Sequence, residues 1–199
     1  VNKKGTFNLL QGFWLDAPVD VQHLNQALND LASDHSIFRT EARMIHGHWI
    51  QVVNEQMRLE CQAIAWPEIS GQDEFEDALQ EFQEQCSERL HDINDGPLFN
   101  LYLIHNKAQL AAVLFHTHHF HVDGFSFFAF QRELFLRYQA RANGEQWSSP
   151  KPQAEYVHFA LSQFDPTNEG HTRFWAERFA NVQFEMGLQD RRRYLNRAL

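Results

Sequence analysis

Cysteine is scarce in this chain of 199 residues: Cys61 and Cys86 are its two thiols, with no CxxC spacing and no even-numbered framework around them. Neither a disulfide scaffold nor a zinc site is indicated, and both residues read as free core thiols. Basic residues are few as well, 17 Lys and Arg against 26 Asp and Glu for a formal charge of -9, and no basic stripe interleaves with aromatics. A nucleic-acid-binding role has no support in that distribution. The cluster Arg191-Arg192-Arg193 with Arg197 stands at the very end and reads as a solvated helix face or tail. No apolar run approaches the roughly 20 residues that a membrane helix needs. The N-terminal VNKKGTFNLL lacks the charged-then-apolar layout of a signal peptide. A soluble, cytoplasmic protein without membrane or nucleic-acid partners is therefore expected. Internal repeats and low-complexity tracts are absent too.

What is present is apolar and aromatic. A 43% hydrophobic content with 14% aromatics is ample for one packed domain. The stretch LAAVLFHTHHFHVDGFSFFAFQRELFLRY, residues 110–138, joins three patterns. Residues 110–115 form a short continuous apolar run, as in a strand buried on both faces. After Gly124, Phe127, Phe130, Leu134, Phe135 and Tyr138 recur at helical spacing, with Ser126 placed where an N-cap would stand. Between them lies a histidine-rich turn, at a strand's C-terminal end and beside a helix N-terminus. Open α/β sheets hold ligands at such places, and partial positive charge collects there.

Along the rest of the chain, residues 8–15 read as a strand. Asp20 is an acidic N-cap candidate, and the helix after it carries Val21, Leu24, Ala27, Leu28 and Leu31 on one face. Residues 38–45 and 48–53 read as a hairpin turning at His46-Gly47. Asp73-Glu74-Phe75-Glu76 looks like a capping box for a helix with Phe75, Ala78, Leu79, Phe82, Cys86 and Leu90 on its buried face, ending near His91. After the loop Asn94-Asp95-Gly96, a strand through residues 98–104 should pair antiparallel with 110–115. Ala142-Asn143-Gly144 stops the motif helix, Ser148-Ser149-Pro150-Lys151-Pro152 is a loop, and residues 155–164 and 172–180 look helical.

His118-His119-x-x-x-Asp123-Gly124 resembles the HHxxxDG signature of nonribosomal peptide synthetase condensation domains, relatives of chloramphenicol acetyltransferase. His35 followed by Phe38-Arg39-Thr40 resembles the family's second block, with Asp34 and Phe38 in place of the usual arginine and leucine. Gly96-Pro97-Leu98-Phe99 resembles the family's entry into the neighbouring strand, and Tyr156, Phe159-Ala160 and Phe174-Trp175 its later paired helices. The resemblance runs over residues 6–182 in the family's order. It implies an α/β (α+β) lobe, a mixed or antiparallel sheet flanked by helices. Residues 1–182 would be the first of the family's two lobes, and 183–199 a basic tail that matches nothing. A lobe without its partner would expose an apolar face and tend to self-associate.

The resemblance also implies chemistry. An amine attacks an acyl thioester, each substrate being carried on the phosphopantetheine of its own donor or acceptor carrier protein, with no cofactor bound and no metal. His119 is the expected catalytic residue, as general base or as anchor for the amine. Gly124 would offer a backbone N–H to the developing oxyanion. His118 would support the loop, and Asp123 would turn away to pair with Arg39. A metal cluster of His116, His118, His119 and His121 is not expected, because strand alternation sends the first two and the last two to opposite faces. Other readings are a non-catalytic lobe that binds a carrier or partner, a coenzyme A-dependent acyltransferase, and an epimerising relative. The cyclising variant is disfavoured, since neither His118 nor His119 is replaced by aspartate.

Overall fold

The computed structural model describes residues 7–89, 97–107, 110–148, 156–163 and 169–182. The expected helix end at Leu90 and His91, the loop Asn94-Asp95-Gly96, residues 149–152 and the tail 183–199 with its arginines lie outside the described residues. Two compact units divide the chain, Val1–Tyr156 and Val157–Leu199.

The first unit is built on a four-stranded mixed sheet of order β1-β6-β5-β4. Its strands are β1 (Asn8–Leu15), β4 (Cys61–Ala65), β5 (Phe99–His105) and β6 (Ala111–His118). β1 and β5 flank β6 antiparallel, and β4 runs parallel to β5. A separate antiparallel hairpin of β2 (Thr40–Ile45) and β3 (His48–Val53) turns at His46 and Gly47. Both turn residues have positive φ, 50° and 81°, which is the twist a two-residue hairpin turn requires. Phe38, expected to open this hairpin, belongs instead to a 3-10 turn, Ser36–Arg39.

Three helices cover the sheet: α1 (Val21–Asp34), α2 (Gln72–Glu88) and α3 (Gly124–Ala142). The Asp20 carboxylate caps α1 by accepting from the N–H groups of Gln22 and His23. α2 starts before the expected capping box, with Gly71 as its N-cap. A pleated strand buried on both faces splits its side chains between two cores. Val113 and Phe115 of β6, with Leu101 and Leu103 of β5, pack into the cluster formed with α1 and α3. Ala112, Leu114, Tyr102 and Ile104 pack against Phe75, Leu79 and Cys86 of α2. Cys61 and Cys86 are free and buried, and burial pushes the Cys61 thiol up to about 12.

α1 and α3 are tied by charge as well as by packing. Buried Arg137 donates to Asp34 (2.7 Å) and Glu133 (2.5 Å), Glu133 meets His35 Nε2 at 3.0 Å, and Arg141 pairs with Asp30. Asp34, where the resemblance leads one to expect arginine, is thus matched by an arginine from the facing helix. The Tyr138 hydroxyl accepts the Asp20 N–H at 3.0 Å, fixing the start of α1 on α3.

In the second unit lies α5 (Glu169–Phe179), while α4 (Tyr156–Gln163) begins on the last residue of the first unit. Trp175 stacks on Phe179 within α5, centroids 5.4 Å apart. Among the described residues no helix is long and apolar enough to cross a membrane.

Phe115 is fully buried and its ring meets those of Phe13, Phe99, Phe127, Phe130 and Phe135. Phe115→Ala should lower the unfolding free energy by about 3–5 kcal/mol, the usual cost of a large cavity in a close-packed core. Urea denaturation followed by tryptophan fluorescence measures it.

Candidate active site

The site grows out of the end of β6. His116 and Thr117 are buried, His118 is half-buried, and His119, one residue past the strand, is exposed. Two backbone bonds hold the histidine pair from opposite sides: the His118 N–H donates to the Leu98 carbonyl (3.0 Å) and the His119 N–H to the Phe7 carbonyl (2.7 Å). The chain then turns, the His121 N–H donating to the His118 carbonyl at 3.0 Å. His118 Nδ1 accepts the Phe120 N–H at 3.0 Å, which leaves the proton of the neutral ring on Nε2. Burial holds the His118 pKa below the ordinary histidine value, and the neighbouring His119 adds to the effect.

His121 turns inward and is buried. Its Nε2 meets the Thr40 carbonyl at 2.9 Å, tying the motif loop to the first residue of β2. Burial pushes its pKa from 6.5 down to about 4, against the raising effect of the Thr40 carbonyl. Among the described residues no group of three or more His, Cys, Asp or Glu side chains is placed to hold a metal ion.

Asp123 does not pair with Arg39. Its Oδ1 accepts the Ser126 N–H at 2.8 Å and caps α3, so Asp123, not Ser126, is the N-cap. Bonding to Ser126 holds the Asp123 carboxyl below its usual range. Arg39 is engaged elsewhere: Nε donates to the Ala32 carbonyl near the end of α1 (2.9 Å) and Nη1 to Glu55 (2.5 Å). A helix N-terminus with unsatisfied N–H groups competes well for a carboxylate, and here it wins over a side-chain cation. Gly124 is the first residue of α3, where N–H groups have no acceptor within the helix.

The expected residues His118, His119, Asp123 and Gly124 therefore share one joint, while Arg39 braces the neighbouring 3-10 turn. Sequence reasoning passes over Phe7, whose carbonyl holds His119 and whose ring lies 6.0 Å from that of His118. Only the register of β1 against β6 brings it there, and no local pattern announces that register. It also assigns no brace to His121, although an imidazole inside an otherwise apolar Phe-His-Val triplet is a visible signal. Exposed Phe125 and Phe128 complete an aromatic surface on the first turns of α3.

A family model described as Condensation domain matches residues 3–197. The chain belongs to the condensation-domain family. Surfactin synthase subunit 2 of Bacillus subtilis (strain 168) is 27% identical over 174 residues, covering 85% of this chain and 4% of that protein. The starter condensation domain of rhizomide synthetase RzmA superposes with a TM-score of 0.79 at 14% identity, over 90% of this chain and 44% of that one. The epimerization domain from the third module of tyrocidine synthetase B gives 0.76 at 17% identity, over 91% and 42%. This condensation-domain chain thus has the chloramphenicol acetyltransferase-like fold, and it spans less than half the length of each of these relatives.

Two measurements probe the brace around the motif. Above pH 6.5 His121 is neutral folded or unfolded; between 6.5 and about 4 only the unfolded chain takes up its proton, so stability falls as the pH drops through that window. The full contribution is about 3 kcal/mol, and His121→Leu should remove that part of the pH dependence in urea titrations. Secondly, the destabilisations caused by Arg39→Ala and Asp123→Ala should add in the double variant, since the two side chains have separate partners.

Proposed function

We propose that residues 1–182 are the motif-bearing lobe of a nonribosomal peptide synthetase condensation domain. It forms an amide bond between a carrier-bound acyl or peptidyl thioester and a carrier-bound aminoacyl amine. The observation that carries this reading is the joint itself: an exposed imidazole at the end of a doubly paired strand, next to a helix N-terminus whose cap is already filled. Membership of the condensation-domain family and the partial coverage of the rhizomide synthetase domain support both the chemistry and the assignment to one lobe.

His119 receives the attacking amine. Its ring nitrogen accepts an N–H hydrogen bond, which orients the amine lone pair toward the thioester carbon, and takes the proton as the C–N bond forms. The carbonyl oxygen gains charge beside the first turn of α3, where the Gly124 N–H stabilises it. Collapse of the tetrahedral species expels the phosphopantetheine thiolate, which takes up the proton. His118 and Asp123 do not touch substrate in this scheme. His118 fixes the turn through Nδ1, and Asp123 holds the start of α3.

The partners implied are a donor and an acceptor carrier protein, together with a second lobe that would cover exposed Phe125, Phe128 and His119. Exposure of His119 in this lobe also favours a second reading, a lobe that binds carriers without catalysis, because a water-filled site weakens the electrostatics that acyl transfer uses.

A condensation assay separates the two. The chain is mixed with a donor-loaded and an acceptor-loaded carrier, and mass spectrometry follows the acceptor. Amide product that falls at least about 100-fold in His119→Ala is the expected result. Product formed equally by the variant would sink the role of His119; a folded chain that binds carriers but yields none would make the non-catalytic reading the better one.

A further inference from the structure

The hairpin of β2 and β3 has one long edge closed and one open. The Asn54 N–H, just past β3, donates to the Arg39 carbonyl at 2.7 Å. Hydrogen-bonded pairs alternate with non-bonded ones from there, and with Val53 opposite Thr40 and His48 opposite Ile45 the backbone groups of His48, Ile50 and Val52 point at β2. Those of Trp49, Gln51 and Val53 point outward, where no further strand lies among the described residues. The outer side of β2 is engaged instead, since the Thr40 carbonyl takes His121 and Ala42 is buried. At the β4 end of the main sheet, Asn25 accepts the Cys61 N–H at 2.7 Å.

Open edge strands are usually blunted by lysine, proline, a charge or a bulge. β3, HWIQVV, has none of these, and its register against β2 is unbroken. Trp49 and Ile50 are 56% and 42% exposed on its two faces, beside exposed Met44 and Ile45 of β2. Free backbone groups flanked by uncovered apolar side chains are a template for another strand.

The sequence of β3 itself decides which strand fits. Laid antiparallel on a second copy about a two-fold axis through Gln51, it sets Trp49 against Val53, Ile50 against Val52 and Gln51 against Gln51. Apolar side chains meet apolar ones, the amides meet each other, and no charges are opposed. Trp49, Gln51 and Val53 then stand in the hydrogen-bonded pairs, each exchanging both backbone bonds with its opposite. We propose that the chain forms a two-fold symmetric dimer through β3, the two hairpins joining into one continuous sheet. The engaged edge of β2 stops that sheet from growing further, and an isologous contact closes at two copies. A contact of this size, below about 1,200 Å², gives dissociation in the micromolar range or weaker. The dimer does not depend on the condensation reading, and it uses a different surface from the aromatic one on α3.

Sedimentation velocity of the full chain over a wide range of concentrations should show a monomer–dimer equilibrium. Gln51→Lys puts like charges opposite each other on the axis and should raise the dissociation constant at least about tenfold. Phe125→Lys, on the first turn of α3, should leave it unchanged. Gln51 is exposed, so circular dichroism and urea unfolding of its variant should match the parent chain. Cysteine substitution reads the register: opposed Cα atoms about 5.5 Å apart lie within disulfide reach. Mild oxidation should therefore cross-link Gln51→Cys into a dimer but not His48→Cys, which the antiparallel register carries away from its own copy. Cys61 and Cys86 are buried and take no part. A chain that stays monomeric, a dimer that survives Gln51→Lys, or equal cross-linking at positions 48 and 51 would overturn the proposal. Loss of the dimer in Phe125→Lys would overturn it too, making the motif face the contact.

Discussion

Both edges of β6 are occupied, and most of this structure depends on that pairing. Each neighbour strand satisfies half of its backbone groups, so the strand cannot slide against one without breaking the ladder on the other. The pairing continues one step beyond the sheet, where Leu98 holds His118 and Phe7 holds His119. Two adjacent histidines are thus fixed by opposite neighbours. An exposed residue gains a defined backbone position without any burial of its own side chain.

The turn that follows is stabilised by three hydrogen bonds, two local and one to β2, each consuming a different group. His118 Nδ1 takes the Phe120 N–H, His121 takes the Thr40 carbonyl, and Asp123 takes the Ser126 N–H. None uses the His119 imidazole. The chemistry-bearing group is left out of the very interactions that place it, which is the arrangement a proton-handling residue needs.

Much of this is legible from the residues because local signals and tertiary demands agree. β1 has the bounds its apolar pattern gives, Asp20 caps α1 as its position implies, and His46-Gly47 turns the hairpin. The failures have physical reasons. β4, CQAIA, has no local signature, since it is five residues long, half exposed, and owes its existence to a parallel partner that is distant in sequence. Ser126 resembles a cap because Gly124 reads as a turn residue, whereas Asp123 caps the helix from before that glycine by reaching the Ser126 N–H. The pairing of Asp123 with Arg39 fails for the same cause: a carboxylate at a helix start has a nearer donor than any side chain across the fold.

The two faces of β6 carry side chains of unequal bulk. Phe115 and Val113 fill the core beneath α1 and α3, and Ala112 and Leu114 meet α2 on the other side. A single inserted or deleted residue within β6 would exchange these sets, driving a phenylalanine toward the α2 side and small side chains into the aromatic core. The same slip would turn His118 and His119 over. Length changes in this strand are thus acceptable only in steps of two, so evolutionary drift in the histidine pair's reach must be accommodated in the turn after His119 and not in the strand before it.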